Sequence, residues 1–180
     1  MTDGPAGPHR PGPGTVTALT ALWIAATRAG GAVGFPADAP AQEIRAAAAE
    51  SVEEVRAGHR EMLAIGSDAD LVGTVFLRPG TGPRTAHRAD VLRLMVHPDR
   101  QRRGLGTALL DAAVARAAAR GLEQLLLSAR GGTTLPAFYL AQGWTEVGVF
   151  PAALRLGPGP DDLRDEHWFQ LRLRPIPVMS

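Results

Sequence analysis

The sequence has no cysteine. That excludes a disulfide, a thiolate metal site and a cysteine nucleophile, so any covalent catalysis would fall to another residue type. It is compatible with a reducing cytoplasm, where the protein is expected to work. No apolar run approaches the roughly 18 residues that cross a bilayer, and the first residues lack the charged-then-apolar order of a signal peptide. Neither a membrane nor secretion is indicated. Charge of one sign is also scarce. The 19 Lys and Arg against 18 Asp and Glu leave a formal net charge of +1, too small for a field that gathers nucleic acid or lipid headgroups. Arg100 to Arg103 is a short basic stretch without interleaved aromatics, so no nucleic-acid partner is read from it. No internal repeat is visible.

What is present is 180 residues, 45% hydrophobic and 21% charged, enough for one globular domain with a full core and too few for two of ordinary size. Gly4 to Gly14 alternates Pro and Gly, a composition that cannot bury enough surface to offset its ordering entropy. A mobile tail is expected over residues 1–14, a domain over 15–175 and a short tail over 176–180.

Leu19, Leu22, Trp23 and Ala26 recur at helical spacing, predicting a helix from Ala18 to Ala29 stopped by Gly30-Gly31. Pro40 suits a first turn, and the Ala-rich run to Ala57 predicts a second helix, on the surface because its apolar face is thin. Glu61 to Ile65 and Leu71 to Leu77 flank turn chemistry and read as a hairpin. Val91 to Val96 reads as a strand stopped by Pro98, and Gly104 to Arg120 as an amphipathic helix. Leu125-Leu126-Leu127 suits a strand buried on both faces. Pro136 starts a short helix through Gln142, and Thr145 to Phe150 and Trp168 to Leu173 read as strands joined by the Gly and Pro rich stretch Leu156 to Pro160. The order is mixed α/β, with a strand-loop-helix-strand unit at its centre.

That unit carries the chemistry. A strand, a Pro98 stop, the loop Gln101-Arg102-Arg103-Gly104-Leu105-Gly106 and a long helix aim the unpaired N–H groups and dipole of a helix start at one point. Gly104 and Gly106 let main chain approach a diphosphate, and Arg100, Arg102 and Arg103 add positive charge. Loop chemistry alone also allows a plain turn with surface arginines. The nucleotide-triphosphate loop is excluded because no Gly-Lys-Ser/Thr is present. The dinucleotide fingerprint is excluded because Leu109 stands at its third glycine.

Leu94-Met95-Val96-His97-Pro98 with Gln101 to Gly106 resembles motif A of the GNAT superfamily of N-acetyltransferases, Gln/Arg-x-x-Gly-x-Gly/Ala. Ala137-Phe138-Tyr139-Leu140-Ala141-Gln142-Gly143-Trp144 resembles motif B. Gly30 to Phe35, His87 to Val91 and Glu146 to Pro151 are similar to a subgroup that includes the tabtoxin-resistance acetyltransferase.

The resemblance implies the GNAT fold: a mixed, mostly antiparallel central sheet, splayed at the cofactor site and flanked by helices. It implies acetyl-CoA as cosubstrate, held by Gln101, Arg102, Arg103, Gly104, Leu105, Gly106 and Thr107, with its pantetheine arm on the backbone of Leu94, Met95 and Val96. It further implies an oxyanion-stabilising amide in that strand, a carboxylate base (Asp90 first, Glu146 second) and Tyr139 as donor to the departing sulfur. Without the family, Tyr139 reads as packing for the small helix. His87 and His97 have no ligand spacing and read as solvent-facing or hydrogen-bonded. Trp23 and Trp168 read as packing. Arg93 could meet a substrate carboxylate or be an exposed strand residue.

The chain departs from the subgroup at Leu127-Ser128-Ala129-Arg130, where Leu-Asp-Thr is usual, and Gly132 stands near the place of a motif B asparagine. The family's first strand also has no sequence before Ala18 except the tail. Either Thr15 to Leu19 forms a stub, or the sheet begins at the hairpin and exposes an edge that a second copy would cover as a homodimer. The acceptor is expected to be a primary amine of a small molecule. A protein N-terminus or lysine, or a non-catalytic acetyl-CoA sensor, are the alternatives.

Overall fold

The computed structural model describes residues 7–173. The expected tail at 176–180 and the last residues of the expected domain lie outside them. Six strands form one sheet in the order β1-β2-β3-β4-β6-β5, and the chain divides into two compact units. The first runs through the described residues to Arg78 and adds Val91–Ala113, and the second takes Pro79–Asp90 and the chain from Val114 onward.

In the first unit, α1 (Thr15–Arg28) and α2 (Ala41–Arg56) cover the hairpin of β1 (Glu61–Ser67) and β2 (Asp70–Pro79), followed by most of β3 (Arg88–Val96). From α1, Ala18, Leu19, Leu22, Trp23 and Ala26 enter one core with Met62, Leu71, Phe76 and Met95. Each fully buried large side chain there contributes roughly 1.5–3 kcal/mol. The Trp23 indole N–H donates to the Val33 carbonyl at 2.9 Å, which satisfies its polar edge inside the core. α2 lies on the surface as predicted, with Gln42, Glu43, Arg45, Glu50 and Glu53 exposed. Its narrow stripe of Ile44, Ala48 and Val52 is fully buried, because small alanines let the two helices approach closely.

The predicted mobile stretch lies against β1 where it is described. Pro8 bridges Leu63, the His9 N–H donates to the Met62 carbonyl at 2.7 Å, and His9 Nε2 meets Asp68 Oδ1 at 2.8 Å. Thr15 also donates to Asp68. That hydrogen bond first, and His9 after it, hold the Asp68 carboxyl below its ordinary range. A Cβ on Gly12 would fall 2.0 Å from Asp68 Oδ2, so only glycine permits this approach. Thr15 opens α1, so no stub strand forms there.

In the second unit, β4 (Gln124–Arg130) takes the start of β3 in parallel and β6 (Leu163–Arg172) antiparallel, and β5 (Thr145–Arg155) pairs with β6. The β3–β4 ladder spans three pairs, Arg88↔Gln124 to Asp90↔Leu126, against seven between β4 and β6. Burial on β4 alternates, with Leu125, Leu127 and Ala129 inside and Ser128 exposed. That corrects the strand predicted to be buried on both faces. Both β5 and β6 outrun their predicted lengths. Pro151, just past the predicted end of β5, lies where the β5–β6 register shifts between Phe150 and Leu154, and Ala152 there has φ 53. A bulge needs no ladder N–H from the proline, so the strand continues. The Ala152 N–H instead finds Asp165 Oδ1 at 2.9 Å.

Candidate active site

After β3 the chain makes a 3-10 turn over Pro98–Arg100 and enters α3 (Leu105–Ala119). His97 is used structurally. Its N–H donates to the Val72 carbonyl at 2.8 Å, and its Nδ1 accepts from the Asp99 N–H at 3.3 Å, capping the turn. Among the described residues no group of His, Asp or Glu could hold a metal ion. Gln101 Nε2 reaches back to the Val96 carbonyl at 3.1 Å, tying the loop to the end of the strand.

Arg102 and Gly104 both take positive φ, 58° and 78°, and this double left-handed bend reverses the chain into the helix. A Cβ at Gly104 would meet nothing within 4 Å, and one at Gly106 only Val96 Cγ2 at 4.0 Å. The site is therefore open, and the glycine at 104 serves the bend rather than relieving a clash. The bond from the Ala108 N–H to the Gly104 carbonyl, 2.9 Å, opens the helix ladder. The N–H groups of Leu105, Gly106 and Thr107 consequently have no intrahelical acceptor, and the dipole adds positive potential where they point. Gln101 to Gly104 are exposed, while Leu109 and Leu110 are buried and anchor the helix. The arrangement fits a diphosphate held by main chain.

Beneath it, Met95 is buried and Leu94 and Val96 are half-buried. Gly73 on β2 has a supporting role that composition could not reveal. A Cβ there would stand 2.9 Å from the Met95 carbonyl and 3.0 Å from Leu109 Cδ1, so this glycine lets α3 lie close on the sheet.

In the second unit, α4 (Leu135–Ala141) starts with Pro136 in its first turn. It ends at Gly143, φ 81, where the Trp144 N–H folds back to the Tyr139 carbonyl at 3.1 Å. That turn sets the Trp144 ring 6.1 Å from the Tyr139 ring, and Phe169 of β6 lies 5.7 Å from it on another side. Tyr139 is buried, and burial pushes its phenol up to about 12. The hydroxyl is thus held protonated as a donor.

Asp90 is half-buried at the last pair of the β3–β4 ladder. Glu146 is exposed and hydrogen-bonded to His167 Nδ1. Ser128 pairs across from Trp168, whose buried indole N–H has no partner among the described residues. Arg130 is half-buried, and burial followed by the neighbouring Arg164 lowers its guanidinium from the usual range.

A model of the acetyltransferase (GNAT) family matches residues 19–144, more than half of the chain. The chain belongs to the GNAT acetyltransferase family. It is an acyltransferase that takes acetyl-CoA as its acyl donor. Solved structures share the fold. YncA from Salmonella typhimurium, solved with its cofactor acetyl-CoA, is 16% identical with a TM-score of 0.69, covering 92% of this chain and 92% of that one. Aminoglycoside 6'-acetyltransferase type Ii is 22% identical with a TM-score of 0.67, covering 94% and 96%. Ribosomal-protein-alanine N-acetyltransferase from Brucella melitensis is 18% identical with a TM-score of 0.69, covering 91% and 98%. Among the described residues of this GNAT protein, no helix is long and apolar enough to cross a membrane.

Proposed function

We propose that this enzyme moves the acetyl group of acetyl-CoA to a primary amine of a small molecule, by direct attack through a tetrahedral intermediate. The observation that carries the reading is the double left-handed bend at Arg102 and Gly104 leading into free first-turn N–H groups. Gln101 to Thr107 hold the diphosphate there, and the backbone of Leu94 to Val96 pairs with the pantetheine arm. The β3–β4 ladder ending at Asp90 supports that second assignment.

In the reaction the amine nitrogen forms a bond to the thioester carbonyl carbon, and a β3 amide N–H stabilises the resulting oxyanion. Asp90, directly or through water, accepts the proton lost by the amine, with Glu146 as the second candidate. The carbon–sulfur bond then breaks, and Tyr139 donates its hydrogen bond to the departing thiolate.

Residues 15–175 are taken as the acetyltransferase domain, working in the cytoplasm. The small-molecule acceptor is favoured by the similarity of Gly30 to Phe35 and His87 to Val91 to the tabtoxin-resistance subgroup. A homodimer would use a sheet edge. Pro8 occupies that of β1, whereas β5 presents exposed Val147, Val149 and Phe150.

The test is thermal stabilisation by acetyl-CoA against NAD and ATP, followed by thiol release over a panel of amines. Saturation at 100 Kd raises stability by about 2.7 kcal/mol. A shift with acetyl-CoA alone and thiol release with a small amine are expected. Release only with peptides would transfer the reading to protein acetylation, and a shift without any release would make the chain a sensor.

A further inference from the structure

One guanidinium in the first unit is firmly seated and has no acid to meet. Arg93 lies in the middle of β3 with φ 52, a left-handed backbone that a non-glycine residue keeps only where its surroundings over-determine it. Its guanidinium carbon sits 5.3 Å from the centroid of the Trp23 ring. On another side it is flush against Gly34, where a Cβ would fall 2.7 Å from the guanidinium carbon and 2.7 and 2.8 Å from its two terminal nitrogens. Trp23 is itself fixed by its bond to Val33, and Gly34 follows in the same loop. The guanidinium is thus lined by Trp23 on one side and Gly34 on another, while the residue as a whole keeps an exposed surface open to a ligand.

A stacked guanidinium keeps its N–H edge for a planar acceptor. Among the described residues, nothing accepts from that edge of Arg93. Its charged form is disfavoured first by lost water and then by Arg60 and Arg78, and Arg60 already serves Glu54 in an ion pair. An anion on this edge would relieve that cost.

Along β3, Arg93 immediately precedes Leu94-Met95-Val96, so its backbone lies one strand step, roughly 3.3 Å, from the stretch proposed to take the acyl arm, and its guanidinium is a side chain's length from its own Cα. The phosphates of the donor have their own place at the start of α3. The anion at Arg93 thus belongs to the other substrate.

We propose that Arg93, seated between Trp23 and Gly34, binds a carboxylate of the acceptor, so that the substrate is a small amine that also carries a carboxylate. This rests on the acetyltransferase reading and names its substrate class.

The experiment pairs amino acids, β-alanine included, with their own carboxamides as acceptors for the full-length protein with acetyl-CoA. At least a 10-fold higher kcat/KM is expected for the acid of the preferred pair. Arg93→Gln is expected to bring the acid-to-amide ratio near one through KM, and Arg93→Lys to restore part of it. Retained stabilisation of both variants by acetyl-CoA shows that they are folded. If no pair turns over, the same pairs are compared by thermal shift on the acetyl-CoA complex. Equal treatment of acid and amide by the wild type, or an unchanged ratio in Arg93→Gln, overturns the proposal. Failure of acetyl-CoA to stabilise the wild type is a separate outcome and sinks the acetyltransferase reading itself.

Discussion

The loop at residues 101–106 and the surroundings of Tyr139, the two places proposed to meet acetyl-CoA, are built in opposite ways. The loop is exposed, and what it would offer a ligand is main chain. Its demands fall on backbone angles, met by Arg102 and Gly104 at positive φ, and its side chains face water. Tyr139 is buried, its ring set against Trp144 and Phe169 and its hydroxyl kept protonated by burial. A contact made by backbone survives side-chain replacement but not a change of chain path, whereas one made by a buried hydroxyl reverses both dependences.

The comparison is tested hardest at Gly104. Gly104→Glu strains the bend and sets a negative charge at the helix start proposed to hold phosphates. Acetyl-CoA binding is expected to fall at least 100-fold, about 2.7 kcal/mol, read as loss of the thermal shift. Retained binding would mean the bend does not hold the donor.

A smaller effect probes the burial of the phenol. Its pKa stands at about 12 against an ordinary 10.0, so the folded state favours the protonated form. That stabilisation is complete below pH 10 and is lost as pH rises through 12. Denaturant unfolding should show roughly 2 kcal/mol of loss over that window, absent in Tyr139→Phe. Equal losses in the two proteins would sink the burial account.

The smallest effect sharpens the division of labour. Tyr139→Phe should lower kcat about 10-fold while leaving the acetyl-CoA shift in place. Unchanged turnover would remove the hydroxyl from the reaction.

Much of this architecture was legible in the residues. The end of α1 and both bounds of α3 follow from apolar spacing closed by Gly30 and Gly121, whereas α1 starts three residues before the predicted Ala18, and the bend at 104 follows from a glycine placed between a strand stop and a helix. Main-chain sites write themselves into sequence because few residues tolerate their angles. The extent of β5 and β6 was hidden because Pro151 stops a regular strand and not a bulged one, which depends on a partner. Leu126 looked as buried as its neighbours because three leucines in a row carry no alternation to read. The seat of Arg93 was invisible for a different reason. Trp23, Gly34 and the strand residue are brought together only by the fold, and no local pattern links them.

The strap of residues 8–15 on β1 has a consequence for how the molecule behaves in a crowd. A terminal strand ordinarily offers its bare amides and carbonyls as a template on which another chain can grow. Here Pro8 and His9 take up that template at Leu63 and Met62, and Pro8, Pro11 and Pro13 have no amide hydrogen to pass the pairing on. The segment acts as a selvedge, finishing that side of the woven sheet so that it neither frays nor picks up a stranger's thread.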